Sequence, residues 1–303
     1  WAKFRSQVPH LDVLVVAGAL TYKEQQEVLT EMLEHLRPGG ILIVEAFPGE
    51  HSSDMEDKMR QLYSYFRGLH EGIPKCYTKD QKKKSVCATS PQLNRMQAIV
   101  ESIHFYPWML VVEKTAQLRD NLNAPRHGTI WLPIKGDVTL NNEKAKGTDY
   151  TAPRWHDPPS IRLDPSNLFL EFFISKKEGQ GVWKPLHYFP AYKRYLAKFI
   201  GRPDFHFAEI GIYSGGSLEM WRTVFGQGLH LYGIDLAEIT KVYEQLDPTG
   251  RTRIFIGDQV NRSFWEHFRR EVPHLDALVE DGGHKWEQQR GALDGVLDHL
   301  GPG

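Results

Sequence analysis

The stretch "FHFAEIGIYSGGSLEMW" (residues 205–221) passes from an apolar run, through glycines, into a helix-like segment. Leu218 and Trp221, with Val224 and Phe225 further on, recur on one helical face. Glycines in such a turn let the backbone approach a ligand closely, and the following helix offers unpaired N–H groups. A dinucleotide fingerprint requires G-x-G-x-x-G, but Glu209 stands at the first glycine position and the spacing from Gly211 to Gly215 is one residue too wide. A pyrophosphate beside that carboxylate is disfavoured; a cationic ligand is not.

Three further apolar runs follow: "LHLYGIDL" (229–236), "TRIFIGDQ" (252–259) and "LDALVED" (275–281). Each is short, nearly continuous and closed by an acid, the pattern of strands buried on both faces in a parallel sheet. Alternation with helix-like segments predicts βαβ units and an α/β, doubly wound, mostly parallel sheet. In such sheets ligands bind outside the carboxyl ends of the strands, where Glu209, Asp235 and Asp258 all fall. Asp235, 26 residues after Glu209, is placed to accept ribose hydroxyls, and Gln259, beside Asp258, to reach an adenine edge.

The beginning of the chain repeats its end. Shifted by 264, residues 1–39 fall on 265–303 without a gap, with 18 of 39 positions identical, including all of "VPHLD" (8–12 on 272–276). That period is far longer than a solenoid repeat and predicts tandem duplication of one large unit. The expected organisation is the back half of a unit over residues 1–115, a connector and lead-in helix over 116–200, and the front, ligand-binding half of a second unit over 201–303. Since the chain starts at Trp1 and stops inside the repeated frame, we expect a piece of a longer protein. In the first unit "LDVLVV" (11–16) predicts a strand. Thr21 and Glu24 then form a capping box ahead of Val28, Leu29, Met32, Leu33 and Leu36 at helical spacing. "RPGG" ends that helix, "ILIVEAF" (41–47) is the next strand, and "RMQAIVESIHFYPWMLVVEK" (95–114) reads as an antiparallel hairpin. The connector carries turn-prone pieces, "LNNEKAKGTD" (140–149) and "RWHDPPS" (154–160), and is expected to be irregular, with a helix near "FPAYKRYLAKFI" (189–200).

Composition is that of an ordinary globular protein, 41% hydrophobic and 25% charged. A net charge of −1 gives no global attraction to nucleic acid or to an anionic membrane. The one basic cluster, Lys82–Lys84 near Lys79, reads as a solvated loop. No apolar run approaches the ~20 residues that span a bilayer. Cys76 and Cys87 make neither a disulfide framework nor a metal spacing, and two scattered thiols fit a reducing, cytoplasmic compartment.

Together, "AEIGIYSGGSLEMW", "YGIDL", "GDQ" and "DALVEDGGH" resemble class I S-adenosylmethionine-dependent methyltransferases, and among them the macrolide-sugar O-methyltransferases of the mycinamicin type. "HYFPAYKRYL" (187–196) is similar to the family's lead-in helix and "ESIHFYPWMLVVEK" (101–114) to its closing hairpin. The resemblance implies methyl transfer to a hydroxyl of a small glycosylated or polyhydroxylated molecule. It puts Glu209, Gly211, Tyr213, Gly215 and Ser217 at the methionine and ribose end of S-adenosylmethionine, Asp235 on the ribose, and Asp258 with Gln259 near the adenine. It makes Asp281 a ligand of Mg2+ and His284 the general base. The types suit the chemistry: imidazoles take protons near neutrality, and a hard cation polarises a hydroxyl.

In the family an acidic pair on the next strand completes the magnesium site. The first unit keeps Glu45 there but has Ala46 for the second acid, and it carries Val16, Ala17 and Leu20 where the second has Glu280, Asp281 and His284. The expectation is a degenerate first copy whose frame serves packing. Another expectation is that strands from 41–114 join those of 201–303 into one permuted sheet. Two rival functions fit parts of the sequence: a non-catalytic binding or scaffold module, and a nicotinamide-dependent oxidoreductase, against which Glu209 argues.

Overall fold

A computed structural model describes residues 2–17, 22–45, 98–106, 109–117, 125–131 and 164–301. The capping residue Thr21, the positions of Leu20 and Ala46, both cysteines, the lysine cluster and the turn-prone pieces at 140–149 and 154–160 lie outside them. The chain divides into two compact units, Trp1–Leu122 and Asn123–Gly303.

The first unit runs α1 (Ala2–Gln7), β1 (Leu11–Ala17), α2 (Tyr22–Met32), β2 (Leu36–Glu45), β3 (Val100–Tyr106) and β4 (Met109–Lys114). Its sheet has the order β1-β2-β4-β3, with β1 and β2 parallel and β4 antiparallel to both neighbours. The expected hairpin is therefore present, with its second strand inserted beside β2. Val28, Leu29, Met32, Leu33 and Leu36 are buried against Leu42, Val44, Leu110 and Val112, so the helical spacing marks a real core face. The helix ends at Met32, earlier than its pattern suggests, because Leu36 already pairs with Leu11 in the sheet; "RPGG" is an irregularity inside β2.

The second unit contains a two-stranded antiparallel pair, β5 (Arg126–His127) with β6 (Val182–Trp183), and then helices α3 (Leu168–Ser175) and α4 (Tyr188–Leu196) around β6 in sequence. It continues through β7 (Phe205–Ile210), α5 (Gly216–Phe225), β8 (Leu229–Asp235), α6 (Val242–Leu246), β9 (Thr252–Ile256), α7 (Arg262–Glu271), β10 (Ala277–Glu280) and α8 (Trp286–Val296). The sheet order is β10-β7-β8-β9, and all three pairings are parallel. This is an α/β sheet with a topological switch between β7 and β10, the place where open parallel sheets form a crevice at their carboxyl ends.

Strand periodicity sorts the core into two layers. Phe205 and Phe207 of β7 face Phe169 and Phe173 of α3, Phe189 and Tyr192 of α4, and Trp221 and Phe225 of α5. Ala208 and Ile210 belong to the other layer, with Phe264, Trp265 and Phe268 of α7 and Ala292 and Val296 of α8. The segment expected to be irregular thus includes a core helix. Asn167 caps α3, its side chain accepting the N–H of Leu170 and donating to the carbonyl of Phe189, which ties α3 to α4.

Two findings bear on the internal repeat. The 264-residue shift carries α8 onto α2 end for end. It also carries the isolated parallel bridge Leu275–Leu300 onto the pair Leu11–Leu36. The expectation of one permuted sheet is not met: among the described residues β1–β4 pair only with one another, as do β7–β10. The pairing explains the difference, because β1 and β4 fill both edges of β2 and leave it none to offer β10.

Candidate functional site

The site is built on the turn between β7 and α5. Gly211 has φ +87°, and a β-carbon there would fall on the carbonyl of Asp281 and 2.6 Å from Cα of Gly282. Only glycine lets the two chain crossings at the switch point pack so closely. Tyr213 also adopts a left-handed conformation, at φ 51°, and Gly215, at φ 77°, opens α5. Strained non-glycine backbone of this kind gathers at functional sites.

Asp235, at the tip of β8, holds this turn. Its Oδ2 accepts the N–H groups of Ile212 (2.9 Å) and Tyr213 (3.3 Å), and its Oδ1 accepts that of Ala237 (2.9 Å). A carboxylate has about four lone-pair sites, so Asp235 keeps acceptor capacity for a ligand.

Glu209 lies beneath the turn and is fully buried. Its Oε2 accepts the Ser217 hydroxyl at 2.6 Å and its Oε1 the Lys184 ammonium at 3.0 Å. The same ammonium is bonded to Oδ2 of Asp281, at the end of β10. Lys184 arrives there because β6 crosses the head of α5: the Gly216 N–H donates to the carbonyl of Gly181 at 3.1 Å, three residues before the lysine. Its side chain is 3% exposed. Burial disfavours the ammonium, but Glu209, Tyr192 and Asp281 outweigh this and hold it protonated, above its ordinary value. Burial likewise pushes the Glu209 carboxyl up, against the pull of Lys184 and Ser217. One ammonium thus faces two carboxyl groups, those of Glu209 and Asp281.

The remaining predicted residues line the neighbouring loops. Asp258 accepts the N–H of Val260 at 3.0 Å and starts the turn into α7. Gln259 is buried; it donates to Oε1 of Glu280 (3.0 Å) and the carbonyl of Gln288 (2.9 Å) and accepts the N–H of Gly283 (2.9 Å). It therefore fixes the β10–α8 loop that carries Asp281 and His284. His284 is exposed on that loop, two residues before α8. The structure thus joins Glu209 and Asp281 through Lys184, bonds Ser217 to Glu209, binds Asp235 to the glycine turn, and sets Gln259 under the His284 loop.

Lys184 is the residue that motif reading missed. Its signal is a lone charge inside the apolar "VWKPL" (182–186). A lysine in such a run is seldom fully buried unless paired.

No family model matches the chain, and no curated protein matches it. Among solved structures it is similar to the MycE methyltransferase from the mycinamycin biosynthetic pathway, which has been solved with Mg and SAH and also with mycinamycin VI. The likeness is 26% identity over 39% of this chain and 32% of that one, with a TM-score of 0.35. It is also similar to TrmN from Thermus thermophilus, at 21% identity over 38% of this chain and 34% of that one, with a TM-score of 0.30. The chain spans about a third of the length of either protein.

Proposed function

We propose that the second unit binds S-adenosylmethionine across the carboxyl ends of β7, β8 and β9 and belongs to a protein that methylates a hydroxyl of a small glycosylated or polyhydroxylated molecule. The observation that carries this is the cluster of buried Glu209 and Lys184 with half-buried Asp281, beneath a glycine turn that Asp235 holds. Acids at the strand tips, with Glu209 at the position a dinucleotide fingerprint gives to glycine, favour a cationic ligand over a pyrophosphate. The resemblance in "AEIGIYSGGSLEMW" and "DALVEDGGH" supports the same choice.

Asp235 would accept the ribose hydroxyls, with Asp258 and Gln259 on the adenine side. Gly211, Tyr213, Gly215 and Ser217 would shape the methionine side, with Glu209 acting through Lys184 rather than by direct contact, since it is fully buried. When bound, S-adenosylmethionine supplies an electrophilic methyl group on a sulfonium. His284 would take the proton of the acceptor hydroxyl as its oxygen forms the new bond to carbon and the carbon–sulfur bond breaks. The turn aligns the two reactants, and proximity lowers the barrier further.

Magnesium at Asp281 does not fit this donor set. Lys184 already occupies that carboxylate, and no cluster of three potential ligands includes Asp281 among the described residues. A hard divalent ion asks for several oxygen ligands, with an ammonium kept away.

The shared frame, with α8 falling on α2 and one parallel bridge kept at the same register, favours tandem copies of one unit, the first stripped of the polar residues. A second reading, a non-catalytic binding module, is favoured by the lysine on Asp281 and by Val16 and Ala17 at the equivalent strand end of the first unit. Calorimetric titration of the 303-residue chain with S-adenosylmethionine and, separately, NADPH tests the proposal. Micromolar binding of the sulfonium compound alone supports it; preference for NADPH, or binding of neither, defeats it.

A further inference from the structure

The opposite end of the parallel sheet holds a second group of polar side chains that the proposed chemistry does not use. His206 and His230 are register partners on β7 and β8, so their imidazoles lie side by side on one face. Their ring centroids are 4.4 Å apart and the planes differ by only 9°. Both Nε2 atoms point at one oxygen: Oδ1 of Asp204 is 3.3 Å from that of His206 and 3.1 Å from that of His230. Asp204 reaches this position through a left-handed backbone, φ 55°, just before β7. One ligating atom from each of the three residues lies within 4.8 Å of the others.

We propose that Asp204, His206 and His230 bind a divalent transition-metal ion, zinc in the first instance, at the amino-terminal rim of the sheet. At zinc bond lengths of about 2.0–2.2 Å and tetrahedral angles, neighbouring ligand atoms stand about 3.3 Å apart, close to the two distances observed. Two imidazoles and one carboxylate are the donors that zinc, copper or nickel prefers, whereas magnesium and calcium call for oxygen alone. The other ring nitrogen of His206 is 2.8 Å from the Tyr232 hydroxyl, a contact that fixes the ring and, with Nδ1 donating, leaves Nε2 free for metal. The Asp204 side chain is 74% exposed, which provides an entry path and a fourth position open to water or substrate. An ion here would clamp the starts of two central strands.

A third imidazole serves as the internal control. The His274 ring centroid is 4.3 Å from that of His206, yet its Nε2 is 3.7 Å from Asp276 and it is not one of the converging donors. Asp276 itself is engaged by the backbone N–H of His206 and by Arg202.

The test uses the full 303-residue chain, stripped with a chelator and titrated with zinc against a chromophoric competitor, and with cobalt(II) as the optical probe. The expected result is one ion per chain and strong visible cobalt bands of a four-coordinate site. Asp204→Asn, which tolerates the left-handed backbone, and His230→Gln should each weaken zinc binding at least about ten-fold with an unchanged circular dichroism spectrum. His274→Gln should change it less than about two-fold. The proposal is overturned if the wild-type chain takes up no zinc, or if Asp204→Asn and His230→Gln leave uptake unchanged. Equal loss in His274→Gln would overturn the assigned ligand set.

Discussion

The ammonium of Lys184 lies 3.0 Å from Oε1 of Glu209, and both groups are out of contact with solvent. One charged side chain from the lead-in thus meets the acid that closes the first strand of the parallel sheet. The same ammonium also holds Asp281, so β6, β7 and β10 are fastened at a single point.

Removing that point leaves two carboxylates without their counter-charge. Lys184→Met is expected to destabilise the second unit by about 3–5 kcal/mol, the usual cost of orphaning a buried charge. Adding Glu209→Gln to it should recover part of the loss. Urea denaturation followed by tryptophan fluorescence, with the double-mutant cycle, reads both effects.

Asp235 accepts three backbone amides and, in the proposed function, the ribose. Asp235→Asn keeps one acceptor oxygen and loses the charge. Affinity for S-adenosylmethionine is expected to fall about ten- to hundred-fold, equivalent to 1.4–2.7 kcal/mol. Calorimetry on folded variant checks this, and an unchanged dissociation constant would remove Asp235 from the ligand site.

A separate network around Asp247 is expected to make stability sensitive to acid. Asp247 accepts from Thr252 at 2.6 Å, Thr249 at 2.7 Å and Arg222 at 2.9 Å. Burial pushes its carboxyl up, but these partners outweigh burial and hold it below its ordinary value. A carboxyl whose folded value is depressed adds stability above its unfolded value, near 3.9, and loses it as pH falls through the folded value. Asp247→Asn should therefore cost on the order of 2 kcal/mol at pH 7, with the difference shrinking as the pH is lowered below about 5. Thermal melts from pH 7 to pH 3 measure it; a pH-independent difference would contradict the assignment.

His284 stands exposed on a loop that Gln259 fixes from below. If it is the general base, His284→Ala lowers methyl transfer by about 10²–10⁴-fold while S-adenosylmethionine affinity stays within two-fold. Equal losses in both would mean that the residue supports the loop instead. The 303-residue chain and a panel of hydroxylated acceptors are the material for that assay.

Much of the fold was legible because its strands are short apolar runs, each followed by an acid or glycine turn, and Leu218, Trp221, Val224 and Phe225 repeat at helical spacing. What escaped depends on long-range register. The "RPGG" irregularity follows from Leu36 pairing with Leu11, which no local signal announces. Helix α3 is eight residues, "LFLEFFIS", too short and too apolar all round to show a period. Of the site, the glycine turn and the acids at 209, 235 and 281 were legible as chemistry-bearing types. Lys184, 25 residues before Glu209, meets it only because β6 crosses the head of α5. The Asp204, His206 and His230 group was equally hidden, since strand pairing brings its members together.

In the proposed function a sulfonium nucleoside lies on the β7–α5 turn at the carboxyl ends of the parallel strands. A crystal structure of the chain with S-adenosylhomocysteine tests it most directly. The nucleoside is expected across the tips of β7 and β8, its ribose hydroxyls within hydrogen-bond reach of Asp235 and the Lys184–Glu209 pair intact beneath. A ligand bound elsewhere on the chain, or an Asp235 carboxylate that makes no contact with it, would contradict that claim.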